Sequence, residues 1–484
     1  MSEKIVINPV TRVEGHGKVT IHLNEQGRVE DAFFHIVEFR GFEKFVQGRP
    51  YWEAPVLVQR LCGICPVSHH LAAAKAIDQI VGIEPEDLPR TATQIRRLLH
   101  YAQIFQSHAL HFFYLASPDL LFGLDAPIEK RNIAAVAMEY KELALRGILM
   151  RKFGQELIQA IAGKKIHGIA AVPGGVQKAM TRAEVEMFQN GQGEHLPSID
   201  TMIQWSLDIL AFIRQYHTQN RAWLDVFAAY PSGHLGMVGA NGAMELYHGK
   251  LRAINENGNI TLADIPTNDY NHYFAEGTEK WTFLKFPYLR ELGKEKGWNR
   301  VGPLARINVC DFIPTPLAEQ ERQHFFEFAG SKPVHRTLYF HWARLIELLH
   351  CAEWMKEILN DPAILSGELY FEKAHRNEGI GIIEAPRGTL THHYLVDDDG
   401  KIEKCNLIVS TTHNNEPMNR ATRWVAQQVL DGKKITEPLL NQIEIAIRAY
   451  DPCLSCATHA MGKMPLEVTL YNHQGEVMDA ATRN

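Results

Sequence analysis

Four of the seven cysteines in this 484-residue chain stand in two Cys-x-x-Cys pairs, Cys62/Cys65 and Cys453/Cys456, near its opposite ends. Four thiolates are soft ligands, suited to zinc, nickel or iron–sulfur chemistry. A two-residue spacer lets one tight turn aim both sulfurs at one ion. The bland reading is a structural zinc site with four cysteine ligands. Zinc ribbons, however, keep their two knuckles within tens of residues, and here nearly the whole chain lies between the pairs. A fold that joins them must close its two ends around one centre. A redox dithiol explains either pair alone but not two. An odd and small number of cysteines argues against a disulfide scaffold. Cys310, Cys351 and Cys405 read as buried thiols.

Length alone suggests about three domains at ~150 residues each. The balance of 50 Lys+Arg against 56 Asp+Glu, net −6, argues against a broad nucleic-acid footprint. No stretch approaches the ~18 apolar residues that suggest a membrane span. Met1-Ser2-Glu3-Lys4-Ile5 lacks the apolar core of a signal peptide.

Residues 4–40 read as strands. Lys4 to Ile7 is a short apolar run, Lys18 to Leu23 alternates, Asn24-Glu25-Gln26-Gly27 signals a turn, and Val29 to Val37 returns as a partner. Helical spacing then covers Arg90 to Ala116, Val136 to Ala162, Ser198 to Ala229, Pro333 to Leu359 and Thr436 to Ala449. Residues 230–330 are mixed, with a strand-like piece from Leu251 to Ile260. Gly379 to Val396 and Ile402 to Ser410 read as strands around the Asp397-Asp398-Asp399-Gly400 turn. No repeat, low-complexity tract or linker divides the chain. The expected fold is α+β and mainly α: a core of long helices with β-hairpins and small sheets at the periphery.

Further motifs occur along the chain: Arg12-Val13-Glu14-Gly15-His16, Arg40-Gly41-Phe42-Glu43, Ser68-His69, Pro173-Gly174-Gly175-Val176 and Glu384-Ala385-Pro386-Arg387-Gly388. With Arg60 to Pro66 and Asp451 to His459, they resemble the large subunit of the nickel–iron hydrogenases over essentially the whole chain. Val37 to Gly48 and Asp451 to Ala460 look most like the cytoplasmic NAD-reducing branch. The resemblance implies the large-subunit fold, a cytoplasmic catalytic subunit, and reversible heterolytic cleavage of dihydrogen with electrons passed through iron–sulfur partners to NAD. A hydrogen sensor or an uptake enzyme with another acceptor is the alternative within the family. Outside it stands a zinc-stabilised scaffold. The quinone-site subunit of the respiratory NADH dehydrogenase is a structural relative that lacks the four cysteines.

By position, the resemblance makes Cys62, Cys65, Cys453 and Cys456 the nickel ligands. Cys65 and Cys456 bridge to an iron that carries cyanide and carbon monoxide. Cys453 is the first proton acceptor and Glu14 the relay carboxylate. Arg387 matches a guanidinium over the iron ligands, and Ser410 a hydroxyl that bonds a cyanide. Asp451, Pro386 and His69 lie around them. Glu43, His459 and the main-chain carbonyl of Asn406 match ligands of a magnesium ion. Taken singly, most of these have plainer readings: an ion-paired Glu, a loop Arg, a turn Ser, two helix-start histidines at His69 and His70. Ser107 and Val409 depart from the family's commoner Asp and Pro.

The resemblance also implies partners. No Gly-x-Gly-x-x-Gly follows a strand, so NAD and flavin belong to diaphorase-type subunits, and the iron–sulfur cluster to a small subunit that Pro173-Gly174-Gly175 is expected to face. Nickel chaperones and a maturation protease are implied too, the latter cutting between His459 and Ala460. That divides the chain into a catalytic body, 1–459, and an extension, 460–484, with a short strand from Leu466 to Tyr471 and a Gln474-Gly475 turn. A tail that persists is expected to displace the second cysteine pair.

Overall fold

The computed structural model describes residues 4–430, 436–458, 466–471 and 477–483. His459, Ala460, Gln474 and Gly475 lie outside the described residues. An antiparallel sheet opens the chain: β1 (Lys4–Ile7), β2 (Gly17–Leu23) and β3 (Val29–Ile36). Val19 pairs with Phe34 and Ile21 with Ala32. All four are fully buried, as period-two alternation requires when one face meets the core.

Five long helices carry most of that core: α1 (Pro66–Ile80), α2 (Arg90–Leu110), α3 (Lys141–Ala162), α4 (Ile199–Leu224) and α5 (Phe340–Leu359). α2 packs against α3 and α5, and α5 against α4. α5 is buried on nearly every side, as an apolar-all-round helix must be. Its charged residues survive there through partners. Glu347 accepts from Arg306 Nη2 at 2.6 Å and pairs with His108 Nε2 at 2.7 Å, and Arg306 Nη1 reaches Glu384 at 2.7 Å. This buried network ties α2 and α5 to a second sheet, β4 (Glu378–Ala385), β5 (Gly388–Val396) and β6 (Ile402–Ile408). α6 (Asn415–Leu430) lies on β3, and α7 (Glu437–Arg448) packs on α6.

The boundaries differ from expectation where local chemistry intervenes. Beyond α2 the chain widens into a π-helical turn, His111–Ala116, before a short helix, Ser117–Phe122. The helix expected from Val136 breaks at Tyr140 (φ −130, ψ 52), leaving Ile133–Glu139 and α3. Ser198 caps α4 by accepting from Thr201 N, as expected of such a residue. That helix stops at Leu224, short of Ala229. α5 starts at Phe340 rather than Pro333. The reason is Asn308, whose amide takes both the N–H and the C=O of Val334 at 2.9 and 3.0 Å. The strand expected from Leu251 is a hairpin, Lys250–Ile254 with Ile260–Ile265, around a turn where Asn255 Oδ1 accepts two backbone N–H groups. The expected strand from Gly379 to Val396 is likewise a hairpin, since Ala385 pairs with Gly388 across Pro386-Arg387. Ser410 opens a short helix, Ser410–His413, instead of ending β6. In the tail, Leu466–Tyr471 pairs with Val477–Arg483.

α1 lies directly on β4, and two glycines permit it. A Cβ on Gly379 would stand 2.0 Å from Ala76 O, and one on Gly381 1.9 Å from Ala72 O. The Ala72-Ala73-Ala74 run is the small-residue counterpart on the helix. Gly381→Ala should therefore cost ~1–3 kcal/mol or more by overpacking. It should also move α1, which begins beside Cys65. The thermal midpoint and metal content are expected to fall together, and unchanged values would contradict this packing.

Burial pushes the imidazoles of His70, His100, His350 and His413 down to about 4. They stay neutral in the folded chain and gain protons on unfolding below pH ~6.5. Their depressed values make a stability present above that pH and lost as pH falls toward 4. Thermal unfolding should shift to lower temperature across that window, with uptake of several protons; a flat profile would count against it. Among the described residues no helix is long and apolar enough to cross a membrane.

Candidate metal centre

The two cysteine pairs meet. Cys62 Sγ lies 3.4 Å from Cys453 Sγ, Cys65 Sγ 3.6 Å from Cys456 Sγ, and Cys453 Sγ 2.8 Å from Cys456 Sγ. All four sulfurs fall within 4.8 Å of one another, and all belong to free, buried cysteines. The tail does not displace Cys453 and Cys456 in this chain, contrary to expectation.

Each pair is held by its surroundings. Cys62 follows a helical turn, Val58–Leu61, and its sulfur accepts from Ile64 N at 3.2 Å and Cys65 N at 3.3 Å. Cys65 stands at the head of α1, with Pro66 at the first helical position, where a missing N–H costs nothing. Gln103 and Gln106, three apart on α2, both donate to Ile64 O at 2.8 Å and clamp the turn between the two cysteines. On the other side, Cys453 N donates to Thr411 Oγ1 at 3.0 Å and Leu454 N to Glu14 O at 3.0 Å. Hydrogen bonds from Cys453, Cys456 and Cys62, and one from His69, hold the Cys65 thiol well below its ordinary value. Burial pushes Cys453 and Cys456 up.

A small cavity of about 10 Å³ adjoins Cys65, Cys453 and Cys456, with His69, Pro386, Arg387 and Ser410 in its wall. The Pro386-Arg387 turn presents the guanidinium. Arg387 Nε donates to Asp451 O at 2.6 Å and Nη2 to Asp451 Oδ1 at 3.0 Å. Nη1 is buried without a partner among the described residues, as are Asp451 Oδ2 and Ser68 Oγ. Burial opposes the charge on Arg387, but Asp451 and the cysteine sulfurs hold its pKa well above the ordinary value. Burial pushes Asp451 up to about 6 against that pull. A guanidinium N–H beside soft sulfurs suits an acceptor group on a metal held by those sulfurs.

Residues 40–142 and 247–459 match the family model described as nickel-dependent hydrogenase, and residues 4–39 one described as HoxL-like. The chain belongs to the nickel-dependent hydrogenase family. It is 48% identical, over all of both chains, to the NAD-reducing hydrogenase HoxS subunit beta of Cupriavidus necator. A crystal structure of an NAD+-reducing nickel–iron hydrogenase in its H2-reduced state superposes with a TM-score of 0.90 at 50% identity, covering 94% of this chain and 99% of that one. The nickel–iron–selenium hydrogenase of Desulfovibrio vulgaris Hildenborough, at 22% identity and TM-score 0.74 over 95% and 100% of the chains, shares the fold.

The other hydrogenase-like positions fall in three places. Glu14 is half-buried, and its Oε2 accepts from Cys453 Sγ at 3.0 Å and Ser455 N at 3.1 Å. Ser410 donates to Gly388 O at 2.6 Å, so its hydroxyl proton is engaged within the protein. Val409 lines the same cavity, and Ser107 Oγ is buried without a partner among the described residues. His69 and His70 separate in role: His70 bonds Pro55 O and accepts from Ala170 N and Ala171 N, whereas His69 faces the cavity.

Glu43 lies apart from the sulfurs, in a cluster that sequence reading found only in part. Its Oε1 accepts from Leu407 N at 2.9 Å and stands 3.6 Å from Lys285 Nζ, which also pairs with Glu276 at 3.2 Å. With its amide oriented to satisfy its neighbours, Asn406 donates to both Glu43 and Glu276. Thr458 O accepts from Arg40 N and Gly41 N, bringing the chain to this cluster one residue before His459. Burial, with Glu43 adding to it, raises the Glu276 carboxyl.

In Pro173-Gly174-Gly175 the proline is half-buried and both glycines are buried. Asp78 accepts from Gly174 N at 2.8 Å and Arg96 donates to Gly175 O, and these two form a buried ion pair. The exposed ground near the sulfurs is elsewhere. Gly63, between the first two cysteines, is exposed, as is Arg60. Arg60 Nη1 bonds His167 Nδ1 at 2.9 Å, and His167 Nε2 donates to Cys62 O at 3.0 Å. Nothing in the sequence pattern of His167 flagged it; its φ of 57 marks a constrained backbone.

Proposed function

We propose that Cys62, Cys65, Cys453 and Cys456 hold a nickel ion, and that Cys65 and Cys456 also hold an iron carrying cyanide and carbon monoxide. The observation that carries this is the small cavity beside Cys65, Cys453 and Cys456, with an Arg387 N–H in its wall that no described residue partners. When bound, such a metal pair polarises dihydrogen and draws its bonding electrons, making the molecule acidic enough for a nearby base. The chain's own groups do the rest. Cys453 Sγ stands where a proton is taken up, and Glu14 Oε2, 3.0 Å away, receives it and passes it outward. Arg387 keeps a fixed positive charge and one free donor over the cavity.

Electrons leave by the exposed ground at Gly63 and Arg60, beside the half-buried His167. A small subunit with an iron–sulfur cluster sits there, and diaphorase-type flavin subunits carry the electrons on to NAD. Similarity to an NAD-reducing hydrogenase subunit over the full chain supports that acceptor. The chain works in the cytoplasm. Glu43, the Asn406 carbonyl and His459 hold magnesium, with Glu276 and Lys285 around the ion's waters; hard oxygen donors fit it. Residues 460–484 are removed by a maturation protease once nickel has been delivered by its chaperones. The family match ending at residue 459 supports that boundary.

The test is purification of the chain from cells that express its operon neighbours. Hydrogen should reduce NAD only with flavin and iron–sulfur subunits attached, and mass spectrometry of the active complex should end the chain at His459. A chain active in isolation, or active with Asn484 intact, would overturn the corresponding part.

A further inference from the structure

A second guanidinium holds the hairpin turn from which Arg387 reaches the cavity. Arg306 lies on the short helix Pro303–Val309 and is 1% exposed. Its Nη1 donates to Glu384 Oε2 at 2.7 Å and to Ala385 O at 2.9 Å. Its Nη2 donates to Glu347 Oε2 at 2.6 Å and to Pro386 O at 3.3 Å. Each terminal nitrogen carries two hydrogens, so each gives one to a carboxylate and one to the backbone of the hairpin. The carboxylates have further anchors. Thr389 Oγ1 donates to Glu384 Oε1 at 2.7 Å, and His108 Nε2 pairs with Glu347 Oε2 at 2.7 Å. These groups come from α2, α5, β4 and β5, so the fork of Arg306 is fixed by the body of the fold. On the far side of the turn, a Cβ on Gly388 would stand 2.4 Å from Val301 Cγ2, which leaves the hairpin little room to shift.

We infer that Arg306 is a positioning residue for hydrogen cleavage: it fixes the backbone root of Arg387, so that the Arg387 Nη1 left over by Asp451 stays at the cavity. Asp451 holds only the head of Arg387, through Nε and Nη2. Where the third nitrogen points depends also on where the side chain starts. A two-residue turn is usually a surface feature whose carbonyls bond water. Ala385, Pro386 and Arg387 are all buried instead, and buried carbonyls require donors from the protein. Arg306 supplies one to Ala385 and one to Pro386. The plainer role for Arg306 is that of an ion network between α2 and α5. Under that role its loss would lower stability and leave Arg387 where it is.

This inference rests on the reading of Arg387 as the donor over the metal's cavity, and its test uses the assembled complex. Arg306→Lys keeps a buried cation for Glu347 and Glu384, but offers three hydrogens on one nitrogen where the planar fork offers four on two. Hydrogen turnover should fall roughly 10- to 100-fold, the scale of a small misplacement at a reacting centre. Nickel and iron should be retained, and the infrared bands of cyanide should move in the same direction as in Arg387→Lys. The Arg306→Lys/Arg387→Lys double variant should turn over no more slowly than Arg387→Lys alone and show the same bands, because both changes act through one group. Losses that multiply in the double variant, or an Arg306→Lys complex with parent-like turnover and bands, would overturn the inference, even where that complex melts earlier. Should Arg306→Lys not assemble, Arg306→Met with Glu347→Leu removes the ion pair as a whole, an exchange often neutral for stability. Moved cyanide bands in that complex support the inference, and parent-like bands overturn it. An Arg387→Lys complex with unchanged turnover and bands defeats the reading of Arg387 and this inference with it, a separate failure seen in a variant that leaves Arg306 in place.

Discussion

Arg387→Lys is expected to lower hydrogen turnover by roughly 100- to 1,000-fold while nickel is retained, the scale seen when a preorganised donor at developing charge is lost. Lysine keeps a cation for Asp451. It cannot reproduce the planar fork that spends Nε and Nη2 on Asp451 while Nη1 stays free toward the cavity. Arg387→Ala goes further, because Asp451 is then a buried carboxylate without its partner. Removing one member of such a pair costs ~3–5 kcal/mol, so this variant should also melt earlier. Hydrogen uptake with an artificial electron acceptor and thermal unfolding read the two effects separately. A lysine variant that turns over like the parent would remove Arg387 from the chemistry.

Glu14→Gln should be nearly as damaging, by ~10²- to 10⁴-fold in turnover, the usual range for loss of a positioned acid–base group. Its amide oxygen can still accept from Ser455 N, so the segment near Cys453 keeps its anchor. What is lost is an acceptor 3.0 Å from Cys453 Sγ that can hold and release a proton. Hydrogen uptake and hydrogen–deuterium exchange should fall together, and Glu14→Asp should recover part of both. Parent-like exchange in the glutamine variant would show that the proton leaves by another route.

The fold class and the meeting of the two cysteine pairs were legible because their signals are local or paired. Cysteine pairs two residues apart announce their chemistry wherever they stand, and long apolar-periodic runs announce helices. Boundaries were less so, since distant side chains decide them: Asn308 takes the backbone of Val334 and delays α5, and no reading of residues 333–340 alone reveals that. The hairpin at Pro386-Arg387 was hidden inside one apolar run, although its turn is what aims Arg387. Ser410 was placed at a strand end but opens a short helix. Gln103 and Gln106 carried a usable signal, two amides at helical spacing on a buried face. Glu276 and Lys285 carried none, because the chain between them and Glu43 is long and only the fold brings them together. How the Pro173-Gly174-Gly175 loop is held was not legible either, because Asp78 and Arg96, which bond its glycines, lie far away in sequence.

The most direct measurement is metal analysis of the anaerobically purified complex, paired with its infrared spectrum. A four-sulfur cluster beside a small cavity, with a guanidinium N–H that no described residue partners, predicts nickel and iron in near-equal amounts on this chain, with bands from both cyanide and carbon monoxide. Zinc alone, with no such bands, would make the cysteine cluster a structural staple and contradict the assignment.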